Sequence, residues 1–533
     1  MDKQTFERNV LALSENDPLL CARLSSALTT MGMYRFIESR SGEVIPALTG
    51  TGGAAHPLHS TVDPRREGVR LISTLAEEGF IVFLGLGGGF EAEAALEREK
   101  TKKVLVIEYD CNGIAELLSS RNYISLFRNP RFRLLADPCA EEIEEILLNS
   151  YIPAIDGGIR VFPLRTRAGS DPRFNDAADA VKRAIDSVSK DYSVQAYFGK
   201  RWFSNIIRNL SLAEKPCAGV PPVRKAIVCA AGPSLDEQIP LIKKELDQKE
   251  MPFLIAADTS FPALLRRGIE PDAVISIDCQ HISYRHFFDP LPKTTRLFLD
   301  LASPPPVAAR TENRFFFSGG HPLGLYISRV WRAMPVLDTS GANVTYAALS
   351  LAENLGAKSV LLYGADFSYP FGKTYARGCY IYPYFEKLQS RYEPLEALHS
   401  AFLYRDSSLQ KCALGNNTWY YETQTLKYYR EKARQKEETI HSAKAGRNLT
   451  LFSSGPVRQS ADAFLKSYRE SVESLTSFDF QCGNETGGET EIAATLLPLA
   501  AFIRRTNPAL GPAEFFNAVL SCCTEEFIKV IPN

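Results

Sequence analysis

The sequence predicts an α/β protein with two Rossmann-like parallel-sheet domains and with helical N-terminal, connector and C-terminal segments. Short apolar runs that end in Gly, Asp or Ser alternate with helix-like stretches along much of the chain. This alternation is typical of βαβ units whose parallel strands are buried on both faces. A glycine-bearing turn opens each of the two blocks, at residues 85–89 and 231–234. The chain has 533 residues, 45% of them hydrophobic, which is enough for several domains with large cores.

The patterning divides the chain into five segments. IVFLGLGGGFEAEAALE and KVLVIEYD predict strand–turn–helix–strand in the first block. Residues 171–213 contain little Gly or Pro and predict a long connecting helix, and the Pro-rich stretch Cys217–Lys225 marks the next boundary. The predicted segments are a mostly helical one (residues 1–60), a Rossmann-like domain (61–165), a helical connector (166–215), a second α/β domain (216–460) and a C-terminal helical region (461–533).

Most of the candidate functional residues lie in the second block. It contains five strand-like runs that end in polar residues or glycine, namely RKAIVCAAGPSLDE, PFLIAADTS, DAVISIDCQ, TRLFLDLAS and SVLLYGADFS. In a parallel sheet the ligand crevice lies at the carboxyl ends of the strands. The residues at those ends are therefore the first candidates for a site.

Composition and charge narrow the classes of function. The net charge of −1 excludes a globally basic protein that holds nucleic acid by counterion release. No apolar run approaches the roughly 20 residues of a membrane helix, and the charged start MDKQTFERN does not look like a signal peptide. The 11 scattered cysteines are typical of reduced thiols, and no cluster has the spacing of a metal site. We expect a cytoplasmic protein without a metal, nucleic-acid or membrane partner.

The first glycine loop, GLGGGFE from Gly85 to Glu91, leaves three interpretations open. Glu108 ends the next strand about 20 residues on, as in dinucleotide-binding folds. The loop also suits an S-adenosylmethionine site, with Asp137 as an adenine-binding acid. The third interpretation is a βαβ turn that needs glycine but binds no ligand.

The second turn, Ala231 to Asp236, predicts an anion site. Gly232 allows close approach of a ligand, Pro233 fits the first turn of a helix, and Ser234 offers a hydroxyl near the helix N-terminus. The orphan N–H groups of that helix end attract phosphate. An ordinary helix cap is the alternative.

Further strand ends extend this site. They carry Asp258, Ser260 and Asp278, then Thr339, Ser340 and Gly341 in DTSG, and Asp366 in GADFSY, followed by Tyr369, Lys373 and Tyr375. Tyrosine hydroxyls can donate to a departing phosphate without a metal. The stretch Thr374–Phe385 is either a mobile lid or a packed aromatic loop.

Several of these segments resemble a known family. They are the segment His59-Ser60, Asp63-Pro64 and Glu67, then AAGPSL, AADTS with PDAVISID, DTSGANVTYAALSLAENLGAKSVLLYGADFSY, and GNNTWYYETQTLKYY. Together they resemble the motility-associated factor glycosyltransferases, which glycosylate flagellin. The central domain is also similar to the pterin pyrophosphokinase-like family and to the bacterial sialyltransferases. The likeness covers roughly residues 50–460.

The resemblance implies roles for several residues. It places Gly232 and Ser234 near the nucleotide, Ser340 and Gly341 on the donor, and Tyr369 and Tyr375 on the leaving phosphate. The sequence departs from the sialyltransferases in three ways. The spacing of the tyrosines after Asp366 is near theirs but not identical, Asp258 replaces an asparagine, and residues 418–423 lack their catalytic histidine. The candidates for the general base are therefore Asp278, Glu422, His281 and His399.

The implied activity is a protein O-glycosyltransferase. It would move a nonulosonic, sialic-acid-like sugar with inversion from a CMP-activated donor to Ser or Thr of flagellin, with no further cofactor. Three alternatives remain. They are a pterin pyrophosphokinase-like transfer from ATP with Mg²⁺, a flagellin-binding protein without turnover, and a methyltransferase built on GLGGGFE and Glu108.

Overall fold

The protein consists of two compact units, seen in a computed structural model that describes residues 3–25, 32–49, 54–215, 217–415, 418–442, 452–478, 480 and 488–531. The first unit comprises Met1–Tyr197, Leu475–Ala493 and Ala500–Phe516. The second comprises Phe198–Ser474, Ala494–Leu499 and Asn517–Asn533. Each unit contains a parallel β-sheet, so the predicted fold class is confirmed.

The first unit opens with two helices and a small antiparallel sheet. The helices are α1 (Lys3–Ser14) and α2 (Pro18–Ser25), and the strands are β1 (Tyr34–Glu38), β2 (Val44–Thr49) and β3 (Ala55–Pro57). The expectation of mostly helical structure in residues 1–60 is therefore wrong from Tyr34 onward. Aromatic and β-branched residues favour the extended chain there, and Pro46 would interrupt a helix.

The parallel sheet of the first unit has four strands in the order β6-β5-β4-β7. They are β4 (Glu78–Leu84), β5 (Lys103–Glu108), β6 (Phe132–Ala136) and β7 (Gly158–Pro163). Every residue of β5 is buried, as expected for a strand covered on both faces. The accompanying helices are α3 (Pro64–Ile72), α4 (Phe90–Glu97), α5 (Cys111–Leu118), α6 (Ile124–Phe127), α7 (Ala140–Ser150), α8 (Pro153–Asp156) and α9 (Arg165–Ser170).

The connector is one helix of 41 residues, α10 (Arg173–Ala213). It does not form a domain of its own, because its residues up to Tyr197 belong to the first unit and those from Phe198 to the second. The C-terminal region is helical and is likewise divided between the units. Its helices are α19 (Ala461–Glu473), α20 (Gly488–Thr495), α21 (Leu497–Thr506) and α22 (Pro512–Ile528).

The second unit contains a six-stranded parallel sheet in the order β12-β11-β10-β9-β8-β13. The strands are β8 (Lys225–Cys229), β9 (Phe253–Ala257), β10 (Ala273–Ser276), β11 (Arg296–Asp300), β12 (Arg314–Phe317) and β13 (Ser359–Tyr363). Five of them are the predicted runs. The sixth, β12, was not among the predicted runs, because its RFFF run is not followed by an acidic strand end like those that marked most of the others.

The helices of this unit connect the strands and include one short 3-10 segment. They are α11 (Leu235–Leu246), α12 (Phe261–Leu265), the 3-10 helix His281–Phe287, α13 (Pro305–Ala308), α14 (Pro322–Val330) and α15 (Val344–Asn354). Strand order reverses between β8 and β13, because β9 to β12 extend to one side of β8 and β13 lies on the other. Such a reversal opens a crevice at the carboxyl ends of the strands.

A small three-stranded sheet follows β13. It is formed by β14 (Tyr369–Pro370), β15 (Gln410–Gly415) and β16 (Thr418–Glu422), in the order β14-β16-β15. The helices beside it in sequence are α16 (Ile381–Leu388), α17 (Leu395–Leu403) and α18 (Gln424–Ser442). None of the helices in the described residues is both long enough and apolar enough to cross a membrane.

Candidate functional site

The reversal point between β8 and β13 brings together Gly232, Ser234 and Asp366, as predicted. The Gly232 amide donates to the Gly364 carbonyl at 2.7 Å. The amide and the hydroxyl of Ser234 both donate to Asp366 Oδ2, at 3.1 and 2.8 Å. Burial raises the pKa of Asp366, and the Ser234 hydrogen bonds oppose that rise.

Only glycine fits at position 232. A Cβ there would lie 2.0 Å from Asp366 Oδ2 and 2.6 Å from the Gly364 carbonyl oxygen. Pro233 is buried in the turn that leads into α11, and Ser234 directs its hydroxyl to Asp366 instead of capping the helix. The turn is therefore joined to the loop after β13 through one carboxylate.

The end of β9 is tied into the neighbouring strands. Asp258 is buried and accepts hydrogen bonds from the Thr259 amide at 2.6 Å, the Thr259 hydroxyl at 2.9 Å and the Ser276 hydroxyl at 2.6 Å. Ser260 is fully buried and donates to the carbonyls of Cys229 and Ala257. In this arrangement the Ser260 hydroxyl holds β8 and β9 together and presents no surface to a ligand.

Asp278 follows β10 and has the electrostatics of a proton acceptor. Burial raises the pKa of its carboxyl, and the negative charge of Asp258 adds to the rise. The Gln280 amide, which donates to Oδ1 at 2.9 Å, and His286 oppose it. His281, another candidate base, is exposed at the start of the 3-10 helix.

The tyrosine-rich stretch lies over the ends of β8 to β10. The Ala376 amide donates to the Ala231 carbonyl at 2.9 Å, which fixes the stretch beside the second turn. Burial raises the pKa values of Tyr369 and Tyr375, so both phenols remain protonated and able to donate. Sequence reasoning missed Tyr380, whose pKa is raised by burial and also by the charges of Asp258 and Asp278.

The DTSG turn is organised by Asp338. Its Oδ1 accepts from the Ser340 amide at 3.0 Å, and its Oδ2 accepts from the Tyr346 hydroxyl at 2.6 Å. Partial burial opposes ionisation, but hydrogen bonds from Ser340 and Tyr346 and the charge of Lys436 lower the pKa of Asp338 to about 2. A Cβ on Gly341 would lie 2.2 Å from the Tyr346 ring, so this position also requires glycine.

Two other candidate bases are occupied by contacts within the protein. Glu422 forms an ion pair with Arg430 of α18, on a strand whose Tyr421 pairs with Tyr369. His399 packs against the rings of Tyr382 and Phe385, and burial lowers the pKa of its imidazole.

A further pair at this edge, Asp300 and His321, was absent from the predicted site residues. Asp300 ends β11, and His321 lies between β12 and α14 with its Nε2 3.7 Å from Asp300 Oδ1. The signal for Asp300 was present in the run TRLFLD, which ends in an acid like its neighbours. His321 follows the missed strand β12, so its position at the sheet edge was not apparent.

In the first unit, the protein's own side chains occupy the glycine loop. Glu108 is fully buried, and it accepts from the Leu86 amide at 2.8 Å and from Arg167 Nε at 2.9 Å. A Cβ on Gly87 would lie 2.5 Å from His59 Nε2. Close contacts within the chain therefore explain the glycines, which supports the interpretation of a turn without a ligand.

Asp137, the candidate adenine-binding acid, likewise bonds to groups of the protein itself. It accepts from the amides of Asp110 and Cys111 at 2.8 and 3.1 Å, and it forms an ion pair with Arg173.

The segment from His59 to Glu67 supports that loop. The Gly88 amide donates to His59 Nε2 at 2.7 Å, so Nδ1 carries the hydrogen and donates to Glu91 at 3.0 Å. Glu67 accepts from the Ser60 amide at 2.6 Å and pairs with Arg165. Ligand atoms of His59, Glu67 and Glu91 lie within 4.8 Å of one another, a cluster that sequence spacing did not reveal. Hydrogen bonds within the protein already use both ring nitrogens.

Comparisons with known proteins match the six-stranded sheet in one case and nearly the whole chain in another. The family described as "6-hydroxymethylpterin diphosphokinase MptE-like" matches residues 200–372, which include β8 to β13. The structure of a Maf glycosyltransferase from Magnetospirillum magneticum AMB-1 covers 99% of this chain and 92% of its own, with a TM-score of 0.58 and 14% identity. At that identity the likeness shows a shared fold.

Relatives in sequence occur in Treponema pallidum (strain Nichols), each an uncharacterized protein. One is 34% identical over 148 residues, which are 27% of this chain and 69% of that protein. Two more are 38% and 32% identical, and the chain spans 40% and 36% of their lengths. The chain therefore belongs to one family with the first of these relatives, contains an MptE-like domain in residues 200–372 and has the fold of a Maf glycosyltransferase.

Proposed function

We propose that the chain is a glycosyltransferase that moves a nonulosonic sugar from a CMP-activated donor to a Ser or Thr hydroxyl of flagellin. The observation that carries this proposal is the joining of Gly232, Ser234 and Asp366 at the reversal point, beneath protonated tyrosines. A nucleotide phosphate at this edge would meet the hydroxyl groups of the tyrosines, because the amides of Ser234 and of residues 235–237 already donate within the protein.

The carboxyl edge of the six-stranded sheet is long enough for a CMP-activated sugar. Adjacent strands lie about 4.8 Å apart, so the four intervals from β8 to β12 span about 19 Å. The predicted contacts are spread over this length, with Ser234 at β8 and Thr339 beside β12, where its hydroxyl donates to the Gly319 carbonyl at 2.9 Å. An extended nucleotide-sugar fits this span.

The tyrosines supply the chemistry for departure of the nucleotide. A phosphate that leaves with the bonding electron pair gains negative charge, and a neutral phenol stabilises it by donating a hydrogen bond. Because burial raises the pKa values of Tyr369 and Tyr375, both phenols hold their protons throughout the neutral pH range.

The test measures CMP binding and sugar transfer with the full chain. Ser340→Ala and Tyr375→Phe should weaken CMP binding in calorimetry by roughly ten- to hundredfold each, since one hydrogen bond to a charged group contributes about 1.5–3 kcal/mol. Both should also slow the appearance of glycosylated flagellin in intact-mass analysis. The matched controls are Ser193→Ala, on an exposed position of α10, and Tyr392→Phe, whose side chain is 95% exposed. A wild-type chain that does not bind CMP, or variants that bind and react normally, would contradict the proposal.

The matched family favours one alternative, a diphosphate transfer to a pterin from ATP with Mg²⁺. A ligand that binds the folded state raises the melting temperature. Stabilisation by Mg²⁺-ATP but not by CMP, together with formation of AMP in the presence of 6-hydroxymethylpterin, would identify that reaction. Flagellin binding without turnover of either donor would identify a non-catalytic role.

A further inference from the structure

Asp300 and His321 form a histidine–carboxylate pair at the carboxyl edge of the six-stranded sheet. Asp300 is the last residue of β11, and His321 stands directly before α14. His321 Nε2 lies 3.7 Å from Asp300 Oδ1. Both residues are therefore at the edge where the ligand crevice of a parallel sheet lies.

The surrounding structure fixes the Asp300 carboxylate. Its side chain is 3% exposed, and Oδ1 accepts from the Ala302 amide at 2.7 Å. Gly319 packs so closely that a Cβ there would lie 2.1 Å from Oδ2. Burial raises the pKa of Asp300, and a positive charge on His321 opposes the rise. The carboxyl group is thus held in one position beside the imidazole.

The imidazole of His321 is held but accessible. Its side chain is 22% exposed, and the Trp202 ring packs against it with a centroid distance of 4.3 Å. Nε2 faces Asp300, and among the residues that the structure describes Nδ1 has no hydrogen-bond partner. A base whose second nitrogen is oriented by a carboxylate is the arrangement found where hydroxyl groups are activated. Such contacts are often longer than a hydrogen bond before the substrate binds.

Gly319 connects this pair to the DTSG turn. The Thr339 hydroxyl donates to the Gly319 carbonyl at 2.9 Å, and Gly319 itself lies against Asp300. The pair is therefore next to the residues expected to contact the donor, at the end of the edge away from the reversal point.

We propose that His321 is the general base of the transfer and that Asp300 is its positioning residue, an inference that rests on the proposed function. The O–H bond of the acceptor breaks as its oxygen attacks the anomeric carbon, and His321 Nδ1 receives the proton. The bond from that carbon to the phosphate oxygen breaks at the same time, and its electron pair leaves with CMP. Protons and charges balance without a further reactant.

The other candidates lack one of these features. Asp278 is a carboxyl group that accepts from the Gln280 amide and has no ring nitrogen for a second group to orient, and His281 is exposed at the start of the 3-10 helix.

Three more candidates are enclosed by the protein. Glu422 is paired with Arg430, and His399 packs among aromatic rings. His286 packs against Tyr380, but it is 8% exposed and its buried Nδ1 has no hydrogen-bond partner among the described residues. His321 is partly exposed and also has a carboxylate beside it.

The experiment uses the full chain, a CMP-activated donor and flagellin, with the variants His321→Asn and Asp300→Asn. We expect His321→Asn to lower kcat by at least about 100-fold, the usual contribution of a general base, with CMP affinity unchanged. Asp300→Asn should lower kcat while KM and CMP affinity stay near the wild-type values, because the substitution loosens the orientation of the imidazole without touching the donor. His56→Asn, on exposed strand β3, is the matched control.

Each outcome decides the inference. Added imidazole that restores transfer to His321→Ala supports it, since a merely structural histidine would not respond. His321→Asn with wild-type kcat and normal CMP binding overturns it, as does loss of transfer in His286→Asn alone. A thermal unfolding curve identifies a variant that fails to fold, in which case the split between kcat and KM in Asp300→Asn decides. A wild-type chain that does not bind CMP overturns the proposed function itself.

Discussion

At the reversal point, close contacts between neighbouring parts of the chain determine which residue type fits each position. Gly232 lies against Asp366 and the Gly364 carbonyl, and Ser234 holds the same carboxylate with two hydrogen bonds. Glycine at such a position permits a contact that any side chain would prevent. The turn is thus shaped by its contacts with the loop that follows β13.

This contact predicts the effect of Gly232→Ala. The added methyl group would meet a backbone carbonyl that cannot move easily, so we expect unfolding to become easier by about 1–3 kcal/mol. We also expect CMP binding to weaken, because Ser234 and Asp366 would be displaced. Urea unfolding and calorimetry check both effects. Gly169→Ala in α9 is the control, since a Cβ there meets no atom within 4 Å and should leave stability within about 1 kcal/mol.

At the scale of elements, the loop between β4 and α4 is supported by a neighbouring segment of the chain. Asp63 caps α3 by accepting from the Arg66 amide at 3.0 Å, and Pro64 begins that helix. His59, just before the cap, accepts from the Gly88 amide and donates to Glu91. The segment that resembles a family motif therefore has a structural explanation in the first unit.

We accordingly predict that His59→Ala destabilises the protein without changing CMP affinity. The substitution leaves a buried amide and a buried carboxylate without a partner, at a cost of about 1–3 kcal/mol for the unsatisfied groups. The free energy of unfolding in urea measures this loss. His56→Ala, three residues earlier and exposed, should be neutral. If CMP affinity fell with His59→Ala, the first unit would have a part in donor binding.

At the scale of the whole molecule, two parallel-sheet units contain glycine turns with different surroundings. In the first unit the acid at the next strand end, Glu108, is buried against Arg167. In the second unit the corresponding acid, Asp258, is buried as well, but Asp278 and Asp338 farther along the sheet edge are at least partly accessible. Both glycine turns are thus packed against their own unit, and the accessible carboxyl groups along the edge distinguish the second unit.

Hydrogen exchange distinguishes the two turns directly. We predict that CMP slows amide exchange in residues 231–234 and 339–341 and leaves residues 85–89 unchanged, because a ligand protects the site that it occupies. Mass spectrometry of peptides from the full chain measures both turns in one sample. Protection of residues 85–89 by CMP would show that the first unit binds the nucleotide.

The sequence by itself determined the fold class and the positions of most strands, because buried parallel strands are continuous apolar runs with polar ends. It also indicated which strand ends belong to one edge, including Ser234 and Asp366. The tertiary structure decided what the pattern could not. Whether a glycine turn is open depends on distant side chains such as His59 and Arg167, and β12 lacks an acidic strand end that would have marked it in the sequence. The pairing of Asp300 with His321 arises from the strand order, which places residues 21 positions apart in the chain (321 − 300) side by side.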